Sequence, residues 1–212
     1  RTLIESFSYI KENIPKWNIY DTTHLMNKYL LEDILLDTKK LSECIFEKSE
    51  GNPLYLTYII KTLQSQGITL KIIESLPQYE FNLNSYYEYL TSLTDNNIVS
   101  VVLACLDFSV TRVELNQLIP FGFNFESNLK DLSPVIVGNI LRGGIRLYHD
   151  SFRRFNIEKF KTTANINEIY GKIAEWLEKQ DFYENAKSYR HLLRYYIKIK
   201  EYEKIKKYAS TD

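Results

Sequence analysis

The sequence predicts a mainly α-helical chain with one small β-hairpin, and three observations lead there. Apolar residues recur at helical spacing through most of the chain, and one glycine pair splits the only stretch that reads as paired strands. Helix-starting and helix-stopping residues fall where that periodicity begins and ends. The 212 residues are 44% apolar, enough for a substantial core and more than one compact unit usually holds, so two or three small domains are expected.

The first expected unit, residues 1–76, is helical. Leu41, Cys44 and Ile45 mark an amphipathic helix ending near Ser49, and Leu56, Ile59, Ile60 and Leu63 mark the next. Residues 49–52 between them form a tight corner. Asn52 suits the cap of the second helix, Pro53 its first turn, where no amide partner is needed, and Gly67 a left-handed closure. A short linker with Pro77 follows.

The second unit, 84–160, opens with a helix around Tyr86, Tyr87, Tyr89 and Leu90. The next carries Val99, Val102, Leu103 and Leu106 at i, i+3, i+4 and i+7. Thr111 and Glu114 form a capping box for a short helix through Leu118, a hydroxyl and a carboxylate three apart satisfying each other's orphan amides. A further short helix around Leu129 and Leu132 stops near Pro134. VIVGNIL and IRLYH, separated by Arg142, Gly143 and Gly144, read as a hairpin with a glycine turn. Three helices and a hairpin make a winged helix. From Asp150 the pattern is helical again, with Phe152 and Phe155 in one helix.

In the third unit, 164–212, Ile166, Ile169, Tyr170, Ile173 and Leu177 mark a helix. A pair follows around Tyr189, Leu193 and Tyr196, then Tyr202 and Ile205. Short, antiparallel segments rich in Tyr and Ala at packing spacing read as helical hairpins of the tetratricopeptide (TPR-like) kind.

Several function classes are excluded by composition and motif. Basic and acidic side chains balance at 27 each, so no global field draws the chain to nucleic acid or to an anionic membrane. Cys44 and Cys105 sit inside apolar helical patterns without partners at metal-ligand spacing, read as core residues, and suit a reducing compartment. No uninterrupted apolar run of roughly 18 residues occurs, and no basic-then-apolar leader opens the chain, so a cytoplasmic protein is expected. His24, His149 and His191 lack HExxH spacing, no Ser lies in a G-x-S-x-G elbow, and no G-x-x-x-x-G-K-[ST] run is present. Gly143 and Gly144 are too few to cradle phosphates. No catalytic residue, metal site or enzyme activity is therefore expected in this chain by itself. Arg1 in place of Met, and an end at Asp212 directly after a helical pattern, lead us to expect part of a longer protein.

Winged helices often read DNA with a helix in the major groove. Here that helix offers Asn128 and Lys130 beside Glu126 and Asp131, a poor face for a polyanion. Arg142 and Arg146 on the hairpin fall short of the roughly six to ten phosphate contacts of DNA binders. The basic stretch 187–207 reads as the solvated faces of two helices.

Two motifs carry a family resemblance. SEGNPLYLTYII at 49–60 resembles the helix-opening corner in the lid of STAND ATPases, the class that includes NACHT and NB-ARC proteins. LYHDSFRRF at 147–155 is similar to the end of their winged-helix domain, and the two motifs lie about a hundred residues apart in the same order. The resemblance covers almost the whole chain. It implies a lid over 1–76, a winged-helix domain over 84–160 and the start of TPR-like repeats over 164–212. It further implies that Gly51, Asn52 and Pro53 border an adenine, with Pro53 packing on it, and that His149 senses the nucleotide phosphates.

The nucleotide so implied is ATP or ADP, with Mg supplied by a P-loop core that this sequence does not contain. The implied partners are the protein's own N-terminal ATPase core and effector domain, further copies on activation through homo-oligomerisation, and a trigger bound by the C-terminal repeats. Neither DNA nor a membrane is among them. The implied role is a signalling switch, in a microbe one of defence, including anti-phage defence. Residue by residue, other readings stand beside these. Pro53 in a first helical turn needs no ligand to explain it, and His149 at a strand end is equally a histidine satisfied by its neighbours. Asp150 is expected to cap the following helix and orient His149. Should the native chain be no longer than this, the alternative is a stand-alone winged-helix DNA-binding or adaptor protein.

Overall fold

The computed structural model describes residues 15–30, 37–94, 97–119, 125–162 and 164–209. Residues 1–14 of the first expected unit and 210–212 of the third lie outside the described residues. Helix α1 (Ile19–Leu30) begins at Asn18, whose Oδ1 accepts the amides of Tyr20 and Asp21 at 2.8 and 3.1 Å. The Asp21 carboxylate accepts the Asn18 amide in return at 3.0 Å, a reciprocal start of the capping-box type. Thr22, Met26 and Leu30 are buried at i, i+4 and i+8, the face turned to α2 (Thr38–Ser49) and α3 (Pro53–Gln66). Asp37 caps α2. At its other end Lys48 donates to the carbonyls of Glu74 and Leu76 at 3.0 and 2.7 Å, satisfying the end of the short helix α4 (Leu70–Ser75). Gly67 does stop α3, and its amide donates to Leu63 at 2.9 Å. Its φ of 108° and ψ of 157° are not the expected left-handed helical pair, because the chain runs straight on to α4 instead of wrapping another turn.

Helix α5 (Asn84–Leu93) leads to α6 (Ile98–Cys105), whose residues from Val99 to Cys105 are all buried because it packs against α9, α10 and the hairpin. Next come α7 (Arg112–Leu118), α8 (Glu126–Asp131) and a single 3-10 turn, Ser133–Val135. The Thr111–Glu114 capping box forms as expected. Strands β1 (Ile136–Asn139) and β2 (Gly144–Leu147) pair antiparallel, Ile136 opposite Leu147 and Asn139 opposite Gly144.

Val110 adds a one-residue third strand beyond β2. It exchanges backbone hydrogen bonds with Ile145 at 2.9 and 2.7 Å. That approach requires a residue without Cβ at position 144, where a Cβ would lie 2.5 Å from the Val110 carbonyl carbon. Helix α9 (Asp150–Phe160) then runs back across α6.

Helices α10 (Ile166–Glu178) and α11 (Ala186–Lys198) form an antiparallel pair, and α12 (Tyr202–Ala209) leans on α11. The pair docks on α6 and α7 through specific polar contacts. The Tyr195 hydroxyl donates to the Cys105 carbonyl at 3.0 Å and accepts the Asp107 amide at 2.9 Å. Trp176 Nε1 donates to Gln117 at 2.6 Å, Lys187 pairs with Glu114 at 2.5 Å and Lys198 with Asp107 at 2.6 Å. Buried residues from Met26 to Tyr196 belong to one contiguous core. Cys105 is in that core, whereas Cys44 is only half-buried. Tyr189, expected to pack, is 62% exposed, its ring meeting that of Phe182 at 5.4 Å, whereas Tyr196 of the same expected set is buried. Among the described residues no helix is long and apolar enough to cross a membrane.

Candidate functional site

The corner between α2 and α3 is built by two consecutive residues at positive φ, Glu50 at 48° and Gly51 at 70°. The segment leading into α1 crosses directly over it, the Trp17 amide donating to the Gly51 carbonyl at 2.8 Å. A Cβ at position 51 would lie 2.0 Å from the Trp17 carbonyl oxygen, so both the backbone angle and the lack of space demand glycine. Gly51 is thus buried under Trp17 and shapes the corner without offering a surface.

Asn52 is committed at both ends of its amide. Its Oδ1 accepts the Tyr55 amide at 2.9 Å, and its Nδ2 donates to the Tyr79 hydroxyl at 3.0 Å. Pro53, half-buried in the first turn of α3, is the member of the corner with a side-chain face left over. Thr57 and Lys61 follow it at i+4 and i+8 on the same, less buried side of the helix.

His149 caps α9. Its backbone is extended, with φ −137° and ψ 143°, and its Nδ1 accepts the Ser151 amide at 3.2 Å and lies 2.7 Å from the Ser151 hydroxyl. An Nδ1 that accepts from an amide carries no proton, so the ring's proton sits on Nε2, and the residue is exposed. Asp150 does not cap the helix, contrary to expectation. It is already helical and pairs instead with Arg153 and Arg154 at 3.4 and 3.2 Å, the ion pairs of a first turn.

A cluster of tyrosines connects the two helix starts. Tyr58 of α3 packs against Tyr86, Tyr87 and Tyr148, with ring centroids 5.4, 6.1 and 6.2 Å apart. The Tyr87 hydroxyl meets the Ser151 hydroxyl at 2.5 Å, and that hydroxyl meets His149. Burial pushes the Tyr58 and Tyr87 phenols above the ordinary tyrosine value, so the cluster is neutral and holds by packing. Lys61 closes the connection. Its ammonium donates to the Ile136 carbonyl at 3.2 Å and lies 4.3 Å from the centre of the Tyr148 ring. Burial lowers its pKa.

Gly51, Asn52 and Pro53 therefore lie together at one corner, and His149 is joined to their helix through Tyr58, Tyr87 and Ser151. Lys61, Tyr148 and Ser151 were not singled out from sequence. Lys61 had a signal, as the lone charge in the run LYLTYIIKTL. Ser151 had none beyond its place in LYHDSFRRF. On the helix considered for DNA reading, Asn128 is 3% exposed and belongs to the core, while Glu126 pairs with Arg112 at 2.8 Å. Among the described residues no group of three or more His, Cys, Asp or Glu could hold a metal ion. Comparison with protein-family models, with curated proteins and with solved structures found no match for this chain.

Proposed function

We propose that this chain is the regulatory portion of a STAND-class signalling switch: a helical lid, a winged-helix domain and the start of TPR-like repeats. The observation that carries the proposal is the geometry of His149, which spends Nδ1 on capping α9 and keeps its proton on Nε2 in the middle of LYHDSFRRF. An imidazole held in that tautomer can donate to a phosphate oxygen without first losing its anchor. The order α6, Val110, α7, α8, β1, β2 supports the winged-helix reading, since it is three helices and a small three-stranded sheet in alternation. The antiparallel pair α10 and α11 supports a first TPR-like hairpin.

In this reading ADP, held by a P-loop core outside this sequence, touches Pro53 with its adenine and His149 with its phosphates, keeping the parts closed. Exchange for ATP weakens the bridge, and a trigger on the repeats biases the two-state element toward an oligomer that drives an effector. The protein is cytoplasmic in this reading, and in a microbe it serves defence. DNA reading is not favoured, since the helix it would use places Asn128 in the core.

The test is His149→Ala in the full-length protein, with nucleotide released by denaturation and quantified by chromatography. Loss of most of the retained ADP, with raised basal activity, is expected. ADP retained at the wild-type level would refute the sensor role, and duplex DNA binding that falls with salt would favour the winged-helix adaptor instead.

A further inference from the structure

We infer that Lys61 is a phosphate-binding residue, a cationic arm that reaches from the Pro53 side of α3 to the Tyr148 ring and contacts the same nucleotide. The inference rests on the proposed nucleotide site and adds to it a residue that neither motif contains.

The first observation is an unbalanced charge. Lys159, Lys187 and Lys198 have side chains about as covered as that of a half-buried lysine, 29–31% exposed, and each has a carboxylate partner: Glu88, Glu114 and Asp107. Lys61 is half-buried too, yet among the described residues it makes no ion pair. One carbonyl and one aromatic face are its partners, and an ammonium has three donors. A cation that is partly desolvated without a counter-charge raises the energy of the empty site, which burial records in its lowered pKa. An anion arriving beside it removes that cost.

The second observation is placement. Lys61 shares one side of α3 with Pro53, eight residues away, about 12 Å along the axis at the helical rise. That is comparable to the span from a purine to its terminal phosphate. Its ammonium lies over Tyr148, the residue preceding His149, and Tyr148 is 43% exposed, so the site is open to solvent. The Lys61 side chain also crosses from α3 to the hairpin, through the Ile136 carbonyl. A nucleotide that draws the ammonium off this carbonyl would thereby change how α3 holds the hairpin.

The experiment measures ADP and adenosine affinities of the full-length protein by calorimetry for wild type, Lys61→Met, Lys61→Arg and His149→Ala. Adenosine lacks phosphate and so reports on the Pro53 side alone. Lys61→Met is expected to weaken ADP roughly tenfold and leave adenosine unchanged, with Lys61→Arg keeping most of the affinity. Wild-type ADP affinity in Lys61→Met, with His149→Ala weakened, would overturn the inference and leave the proposed function standing. Equal losses for ADP and adenosine would also overturn it, making Lys61 a packing residue. A wild-type protein that binds no ADP would remove the proposed function and this inference together.

Discussion

Helices α3 and α9 both start at a side-chain cap carried on an extended residue, yet the two caps are finished in opposite ways. Asn52 uses its oxygen on the Tyr55 amide and its nitrogen on the Tyr79 hydroxyl, so both ends of its amide are engaged within the fold. His149 uses one ring nitrogen on Ser151 and leaves the other as a donor. Both are helix starts in the resembled motifs. The difference separates a residue that builds the corner from one that has chemistry left after building. It also moves the weight of the site: around the corner, Gly51 and Asn52 are explained by folding alone, and only Pro53 keeps a free face.

The sharpest way to break that comparison is at Gly51. Gly51→Ala must place a methyl group 2.0 Å from the Trp17 carbonyl oxygen at a φ of 70°, so the pre-α1 segment or the corner has to give way. A loss of about 3 kcal/mol or more is expected, from strain and displaced packing together. In a chain of this length that lowers the melting midpoint by roughly 6–12 °C. A fall of only a degree or two would show that the corner is loosely held.

Asn52→Ala is expected to cost less, about 1–2 kcal/mol, the worth of a lost N-cap together with an unpaired Tyr79 hydroxyl. Chemical denaturation would read it as a shift in midpoint at unchanged slope. Asn52→Asp keeps the cap and removes the donor to Tyr79, so it should recover part of the loss. If Asn52→Ala proved neutral, the amide would be free for a ligand after all, and the contrast with His149 would fail.

What was legible in the sequence, and what was not, follows the range of the interactions. The corner at 49–52, the Asn52 cap, the Thr111–Glu114 box and the glycine-split hairpin were readable because each is written in residues that touch each other within a few positions. Val110 as a strand was not, since its pairing depends on Gly144 more than thirty positions away. In α11 the spacing put Tyr189 and Tyr196 in one set, and only contacts from elsewhere in the chain, Cys105 and Asp107 on Tyr195 and Tyr208 on Tyr196, decided that Tyr195 and Tyr196 are covered while Tyr189 is not. Asp150 looked like the better cap by propensity. The extended chain leaving β2 continues through His149, which puts the imidazole, one residue earlier, at the capping position. The same long-range contact hid Lys61, whose partners Ile136 and Tyr148 lie on the hairpin and just past its end.

The smallest expected effect sharpens the comparison most. Asparagine is a better cap than histidine, and the His149 side chain is exposed, so His149→Asn should change stability by no more than about 0.5 kcal/mol in either direction. His149→Ala should lose about 1 kcal/mol by the same measure, because the Ser151 amide is left to water. Thermal melts of both variants with this chain check the pair. The Asn variant keeps the helix start and replaces the ring nitrogen by an amide donor held closer to the backbone, separating the cap from the reach of the ring. If His149→Asn melts as low as His149→Ala, the imidazole is holding α9 by more than the Ser151 amide, through its contact with the Ser151 hydroxyl and on to Tyr87. If it melts with the wild type, stability has no need of imidazole at this position, and what a serine or asparagine there could not supply is the longer reach of the ring's Nε2 from the backbone.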